Sequence, residues 1–333
     1  MNGIRHAPFI RQGKGSNTLM MDMMLCVTAL LICAAVIYGF RIILLWLIGM
    51  LTAVASEAAV NRLTRGPYTI GDGSAAVTGS LIALLCPASA PYSLPMLGSA
   101  FAILVMKMPC GGLGRYPINP TAAAWCLMAS CYPAQFFSYP AAFPRHALSF
   151  AAHPAYRVGS SSALLVKEGA LAGRGPIDIL LGKLNGPMGA TMFVVIAACA
   201  GYLIYRRTAS VRIIGGFLFT GAAIAALFPR GGLSPIHSVL FEICSGSLLF
   251  CAVFVGTEPV TSPFRPLPQW LYGALCGALT MLLRYLTSLE QAAPCAIVLC
   301  CLLSPLLDRI FLPIRRSRKH HGPKTIPFVC PND

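Results

Sequence analysis

Apolar residues in this chain fall into long runs separated by short polar segments, and the length of these runs is its main structural signal. The runs lie at 20–39, 42–60, 74–88, 94–108, 119–133, 188–205, 211–228, 237–255, 268–286 and 292–312. A helix needs roughly 20 apolar residues to cross a bilayer core of about 30 Å. The pattern therefore predicts an all-α integral membrane protein with about ten transmembrane helices.

Several runs are short or interrupted, which predicts broken helices. The run 74–88, for example, ends on Cys86-Pro87. Short segments bounded by Gly or Pro are typical of half-helices in transport proteins. The backbone groups freed at such breaks must find partners inside the protein, because lipid offers none.

A similar pattern recurs in the two halves of the chain. Thr78-Gly79-Ser80-Leu81 opens the run that closes on Cys86-Pro87, and Ser245-Gly246-Ser247-Leu248 opens one that closes on Glu258-Pro259. The offset is about 170 residues, and a five-helix unit repeated once must be inverted in the membrane. We therefore predict two inverted five-helix repeats with broken helices. Chance similarity between helices rich in Gly, Ser and Leu is the alternative.

Composition and charge agree with a membrane protein. The chain is 56% hydrophobic and 11% charged, with a mean hydropathy of +0.72, whereas soluble domains carry about 25% charged residues. With ten spans, the basic residues of the short loops, such as Arg62, Arg65, Lys107 and Arg206, all fall on one side. By the positive-inside rule, both termini of this multi-pass protein should be cytoplasmic, in the cell's inner membrane.

This topology divides the chain into five parts. They are a cytoplasmic N-terminal segment 1–19, a first membrane repeat 20–133, an extracytoplasmic loop 134–187, a second membrane repeat 188–312 and a basic cytoplasmic tail 313–333.

The formal net charge of +15 and the 14 cysteines suggest two other functions that the arrangement disfavours. No basic stripe interleaved with aromatic residues is present, so we predict no nucleic-acid partner. Most cysteines stand singly in apolar runs, and no CxxC pair occurs, so we predict no metal site within the chain. A cluster that is shared between subunits, with one cysteine such as Cys110 contributing a ligand, stays open as an alternative.

Three acidic residues in or beside the spans are candidates for an ion path, since a carboxylate at membrane depth is costly. Glu258 follows a broken span, and an ion-path role and a structural hydrogen-bonding role are both open for it. Glu57 is the second candidate, with pairing to Arg62 or Arg65 as the alternative. For Asp72 we favour a role as N-cap of the helix that follows.

Gly189, Ala190 and Thr191 open the sixth run. Small residues before a hydroxyl leave it open to a bulky partner, and a helix N-terminus favours an anion such as phosphate. The alternative is that Thr191 bonds back to the helix backbone.

Three stretches carry a family resemblance: Asp72-Gly73-Ser74-Ala75, Gly111-Gly112-Leu113-Gly114 followed by Asn119-Pro120, and Thr257-Glu258-Pro259-Val260-Thr261-Ser262-Pro263. Together they resemble the D subunit of Rnf-type ion-translocating electron-transfer complexes and, in part, the related quinone reductase B subunit. These stretches occur in the family's order, and the resemblance as a whole extends over nearly the entire membrane part, from about residue 20 to 312. The fold of this family is similar to that of urea transporters.

The resemblance implies a membrane subunit that helps couple electron transfer between ferredoxin and NAD to translocation of Na⁺ or H⁺, and that is not active alone. It implies FMN bound covalently through a phosphoester at Thr191, with Gly189 and Ala190 completing the motif and Met188 replacing the usual hydroxyl residue. Implied partners are the other membrane and flavin subunits of the complex, and a flavin transferase for maturation. Noncovalent riboflavin is a further expectation.

Two other functions remain open at this stage. One is a channel or transporter of urea-transporter-like fold without redox chemistry, because fold does not determine function. The other is a scaffold subunit without flavin, which Met188 would favour.

Overall fold

The computed structural model describes residues 16–65, 70–140, 157–158, 186–230, 234–287 and 289–310. Most of these residues are helical, which confirms the all-α prediction, and the one β pairing among them joins Tyr139–Pro140 to Arg157–Val158. The predicted segment 1–19, loop 134–187 and tail 313–333 lie wholly or largely outside the described residues.

Helices follow the predicted runs closely in both halves. The first half contains α1 Ser16–Tyr38, α2 Arg41–Thr64, α3 Ser74–Leu85, α4 Ser93–Phe101, α5 Pro120–Cys131 and the short α6 Pro133–Phe136. The second half contains α7 Phe193–Tyr205, α8 Val211–Leu227, α9 Pro235–Cys244, α10 Leu248–Phe250, α11 Pro266–Thr287 and α12 Ala293–Ile310. A π-helical turn extends α4 over Ala102–Lys107 and α10 over Cys251–Val255, and a 3₁₀ turn, Ile70–Asp72, precedes α3.

Three helices in the described part of the chain, α1, α2 and α12, are long and apolar enough to cross a membrane. The pair formed by α9 and α10 with its π-helical turn is bent by 61° and makes a fourth if it counts as one span. Several shorter apolar helices, including α3, α7 and α8, accompany them. A membrane protein is thus supported, and the count of ten spans stays a prediction.

The helix break predicted at Cys86-Pro87 is present, because α3 ends at Leu85. The buried Arg41 satisfies two carbonyls freed there: its Nη1 donates to Ala88 O at 2.5 Å and its Nη2 to Ala90 O at 2.7 Å. Partners for freed backbone groups are required wherever lipid surrounds the protein. One guanidinium thereby holds the loop that follows α3.

The run 237–255, predicted as one apolar segment, is broken between α9 and α10. Arg284, which is fully buried in α11, donates from Nη1 to Glu242 O at 2.6 Å and from Nη2 to Ser245 O at 3.0 Å. Gly246 has φ +63°, and a Cβ there would lie 2.6 Å from Glu290 O. A buried arginine therefore stabilises the second break as well.

Two pairs of cysteines join the halves of the chain. Cys26 Sγ contacts Cys199 O at 4.0 Å, and Cys199 Sγ contacts Cys26 O at 3.8 Å, across 173 residues of sequence. Cys126 and Cys295 bring their sulfurs to 3.4 Å across 169 residues. Reciprocal contacts of this form arise where two equivalent elements meet on a two-fold axis.

We expect mild oxidation of the membrane-embedded chain to link Cys126 to Cys295, since their sulfurs need to approach by little more than an ångström to reach the S–S bond length of about 2.05 Å. Mass spectrometry of the tryptic peptides would identify the cross-link, with Cys126→Ser as the control that abolishes it. If the oxidant leaves both thiols free, or links Cys126 to another cysteine, the result would contradict the contact between α5 and α12.

Candidate functional site

Thr191 lies in a turn, residues 186–192, that docks against the C-terminal end of α3. Met188 N donates to Cys86 O at 3.1 Å, and Gly189 N donates to Leu84 O at 2.9 Å. The last carbonyls of a helix have no partner within the helix. The turn therefore supplies the donors that the first helix break requires.

Small residues allow this close approach. A Cβ at Gly189 would lie 2.6 Å from Leu84 Cβ, and a Cβ at Gly186 would lie 2.8 Å from Thr191 Cγ2. Ala190 is buried as well, and Met188 is buried completely in the apolar core. The side chain at position 188 thus serves packing in this chain.

The hydroxyl of Thr191 is buried, and it has no hydrogen-bond partner among the residues that the structure describes. The residue is 1% exposed. Thr220 and Thr280, by contrast, bond back to the carbonyls of Gly216 at 2.8 Å and Cys276 at 2.7 Å. Because a buried polar group without a partner costs about 1–3 kcal/mol, this hydroxyl calls for a functional explanation. The backbone-bonded alternative is not what the structure contains.

Glu57 forms a buried ion pair with Lys107. The ammonium lies 3.1 Å from both carboxylate oxygens and donates to Ser74 Oγ at 2.6 Å. The side chains are 0% and 1% exposed, respectively. The structure thus gives Glu57 a partner other than Arg62 or Arg65, which were the alternative from the sequence and are exposed at the end of α2.

Asp72 bonds to the start of α3, but the N-cap position that we predicted for it is occupied by Gly73. Its Oδ1 accepts from Ser74 N at 2.8 Å and from Ser74 Oγ at 2.6 Å. Since Ser74 Oγ also accepts from Lys107, hydrogen bonds connect Asp72, Ser74, Lys107 and Glu57 in one chain.

Glu258 joins the two halves of the protein. Tyr116 donates from its hydroxyl to Glu258 Oε1, and Asn119 Nδ2 donates to Glu258 Oε2 at 2.5 Å and to Val255 O at 2.9 Å. Asn119 Oδ1 also caps α5 by accepting from Ala122 N at 3.0 Å.

The Glu258 carboxyl lies in the loop after the second π-helical turn, outside the helices. Burial raises its pKa to about 7, although the hydrogen bond from Tyr116 and the charge of Lys107 lower it. This group can therefore change its protonation state near neutral pH.

A cavity of about 30 Å³ lies beside these groups, and its polar lining includes Ser74, Asn119, Thr257 and Glu258. Roughly 10–15 Å³ of such volume is enough for one water molecule. Hydroxyl, amide and carboxylate oxygens are also ligands for hard cations. The cavity therefore has space for a few water molecules or for a dehydrated cation, although most of its lining is apolar.

The structure separates the candidate flavin acceptor from the acidic residues. The turn that contains Thr191 contacts the end of α3 that includes Leu84, whereas Ser74 begins the other end of that helix. Thr191 also lies just before α7, and Arg206 lies just after it. Because the 13 residues of α7 extend over about 20 Å, these two residues lie at opposite ends of that helix. Glu258 lines the cavity directly. Glu57 is connected to the same cavity by hydrogen bonds that run through Lys107 to the lining residue Ser74.

Two buried acids, one in each half of the chain, were missed by sequence reasoning. Arg284 Nη1 lies 2.8 Å from Glu242 Oε2, and Arg230 Nη1 lies 3.6 Å from Glu242 Oε1, with Glu242 1% exposed. Asp22 is 5% exposed and lies 3.0 Å from Arg206 Nη2. Both acids stand inside apolar runs, and this position could have identified them from the sequence.

Comparison with known proteins places these features in a family. The model of the NQR2, RnfD, RnfE family matches residues 3–316. The chain is 30% identical, over 92% of both chains, to the D subunit of a Na⁺-translocating ferredoxin:NAD⁺ oxidoreductase complex from Acetobacterium woodii. It is 28% identical to the D subunit of an ion-translocating oxidoreductase complex from Aeromonas salmonicida, over 94% of this chain and 98% of the relative.

A further relative is the D subunit of a proton-translocating ferredoxin:NAD⁺ oxidoreductase complex from Clostridium ljungdahlii. It is 25% identical over 94% of this chain and 95% of its own. The names of these relatives thus include both Na⁺ and the proton as the translocated ion.

Lys107→Met should destabilise the protein by about 3–5 kcal/mol, because it leaves the Glu57 carboxylate buried without its cation. Adding Glu57→Gln in the same chain should recover most of the loss. Thermal unfolding in detergent, monitored by size-exclusion chromatography, measures both effects. Equal stability of the single and double variants would contradict a buried pair.

Proposed function

The chain belongs to the NQR2, RnfD, RnfE family, and from this premise we propose that it is a membrane subunit of a complex that couples electron transfer between ferredoxin and NAD to translocation of Na⁺ or H⁺. The supporting observation is the match to relatives with such names over more than nine-tenths of the chain. The proposed partners are the other membrane and flavin subunits of the complex, without which this chain is inactive.

We propose that the fold consists of ten spans in two inverted five-helix repeats, with both termini cytoplasmic. The reciprocal contacts of Cys26 with Cys199, at a separation close to the predicted offset, support it.

We propose that Thr191 carries FMN through a phosphoester bond, added by a flavin transferase. The buried Oγ1 without a partner fits this role, because esterification removes no hydrogen bond. The N-terminus of α7 follows directly and favours the phosphate. When bound, FMN supplies one-electron transfer between carriers. Noncovalent riboflavin belongs to the same proposal, and no residue is assigned to it.

The burial of Thr191 restricts how the flavin is attached. At 1% exposure the hydroxyl is out of reach of an enzyme. The turn 186–192 must therefore leave the end of α3 during attachment, which breaks the bonds from Met188 and Gly189. These two hydrogen bonds are the contacts that position the acceptor.

We propose that Glu258 and Glu57 border the ion path. Glu258 is among the polar residues that line the small cavity, and the hydrogen-bonded chain from Glu57 reaches Ser74 at its edge; both observations support this assignment. Both carboxylates lie at the end of the protein opposite Thr191, so ion entry and the flavin would be on different faces.

In-gel fluorescence of the denatured chain, coexpressed with a flavin transferase, tests the flavin site. Fluorescence should be present in the unmutated protein and absent in Thr191→Ala. Thr261→Ala is the matched control, since Thr261 is also a buried threonine in the described part of the chain. Fluorescence that survives Thr191→Ala, or that never appears despite an active transferase, would refute the assignment.

The pH dependence of coupling tests Glu258. Because its pKa is raised to about 7, the carboxyl is largely protonated at pH 6 and largely ionised at pH 8. Ion translocation per electron by the assembled complex should therefore change across this interval, and Glu258→Gln should flatten the profile. Asp308→Asn, at the end of α12, is the control. If the Glu258→Gln variant keeps the pH dependence of the unmutated complex, Glu258 does not belong to the ion path.

A further inference from the structure

A second, larger cavity opens where α7 turns into α8. Its volume is about 660 Å³, and its walls come from residues 204–212 and 257–270. Sites for small molecules typically have about 300–1,000 Å³. The cavity lies at the same end of α7 as Arg206, away from Thr191.

The side chains that line this cavity carry a net positive charge, although Asp22 bonds the lining residue Thr208 and Asp308 bonds the lining residue Phe264. Its lining includes Arg207 and Arg212 and contains no Asp or Glu among the described residues. Arg212 Nη1 donates only to the neutral Gln269, at 3.3 Å, and the exposed Arg207 makes no ion pair within the part of the chain that the structure describes. The neighbouring Arg206, in contrast, is paired with Asp22 at 3.0 Å.

Backbone groups add to the positive potential. The cavity lining includes Val211, the first residue of the 17-residue α8, and no side chain caps this helix. Ser210, at the capping position, instead donates to Gln269 at 2.9 Å. The first N–H groups of α8 are thus left to attract an anion.

The rim of the cavity is apolar. Val211 is 54%, Phe264 80% and Trp270 46% exposed, and all three line the opening. Tryptophan is enriched where a membrane meets water. A soluble anion would use the arginines but leave this rim exposed, whereas a lipid would use both.

We propose that this cavity binds the headgroup of an anionic phospholipid of the phosphatidylglycerol class. The phosphate lies between Arg207 and Arg212 near the start of α8, and an acyl chain lies against Phe264 and Trp270. Basic pockets between membrane helices bind anionic headgroups on the cytoplasmic side. The site needs only that the chain is embedded in a membrane, and it is independent of the flavin at Thr191.

Native mass spectrometry of the full chain in detergent tests the site, with phosphatidylglycerol and phosphatidylcholine as probes. Phosphatidylglycerol should bind more tightly. Each of Arg207→Gln and Arg212→Gln should weaken its binding about fivefold and the double variant about thirtyfold, as expected for about 1 kcal/mol per cation. Arg207→Lys should retain most of the binding, because it keeps the charge.

Arg62→Gln/Arg65→Gln is the matched control, since Arg65 shares the left-handed backbone of Arg207, with φ of 50° against 54°. It should leave binding within about twofold, because neither residue lines the cavity. Equal affinity for the two lipids, or an equal effect of the control, would overturn the proposal. Displacement of the lipid by millimolar inorganic phosphate would indicate a soluble anion, and a purified complex without lipid at this cavity would indicate a protein partner. Either result would also overturn it.

Discussion

Backbone carbonyls freed inside an apolar medium must be bonded by the protein itself, and the rest of this structure depends on how that is done. Helix α3 and helix α9 both end within the protein, and each break exposes carbonyls that lipid cannot satisfy. A buried arginine serves each break: Arg41 bonds Ala88 and Ala90, and Arg284 bonds Glu242 and Ser245. Both breaks can persist because of these bonds.

The same requirement connects the candidate flavin acceptor to the first half of the chain. The backbone of the Gly-Ala-Thr turn bonds the carbonyls that Arg41 does not reach, and Gly189 allows the approach. The turn is therefore a structural part of the first break as well as the position of Thr191. The acidic candidates lie at the other end of α3, where Lys107 neutralises Glu57.

The sequence predicts the helices and the first break well but not the pairing of charges. Helices are predictable because membrane thickness sets the length of the apolar runs, so that α8 and the run 211–228 agree to one residue. The partners of Glu57 and Glu242 lie 50 and 42 residues away, and only helix packing brings them together. Glu242 itself could have been identified, as an acid within an apolar run. The hydroxyl of Thr191 was predicted as a candidate from its motif, but its lack of a partner depends on tertiary contacts.

The docking of Met188 on Cys86 also has a consequence for biogenesis. The donor is synthesised about 100 residues after the acceptor, which at roughly 5–20 residues per second is about 5–20 s. During this interval the first half is inserted without the donors for the end of α3. The nascent first half therefore depends on the insertion machinery or on water to shield those carbonyls, and it completes its fold only when the second half arrives.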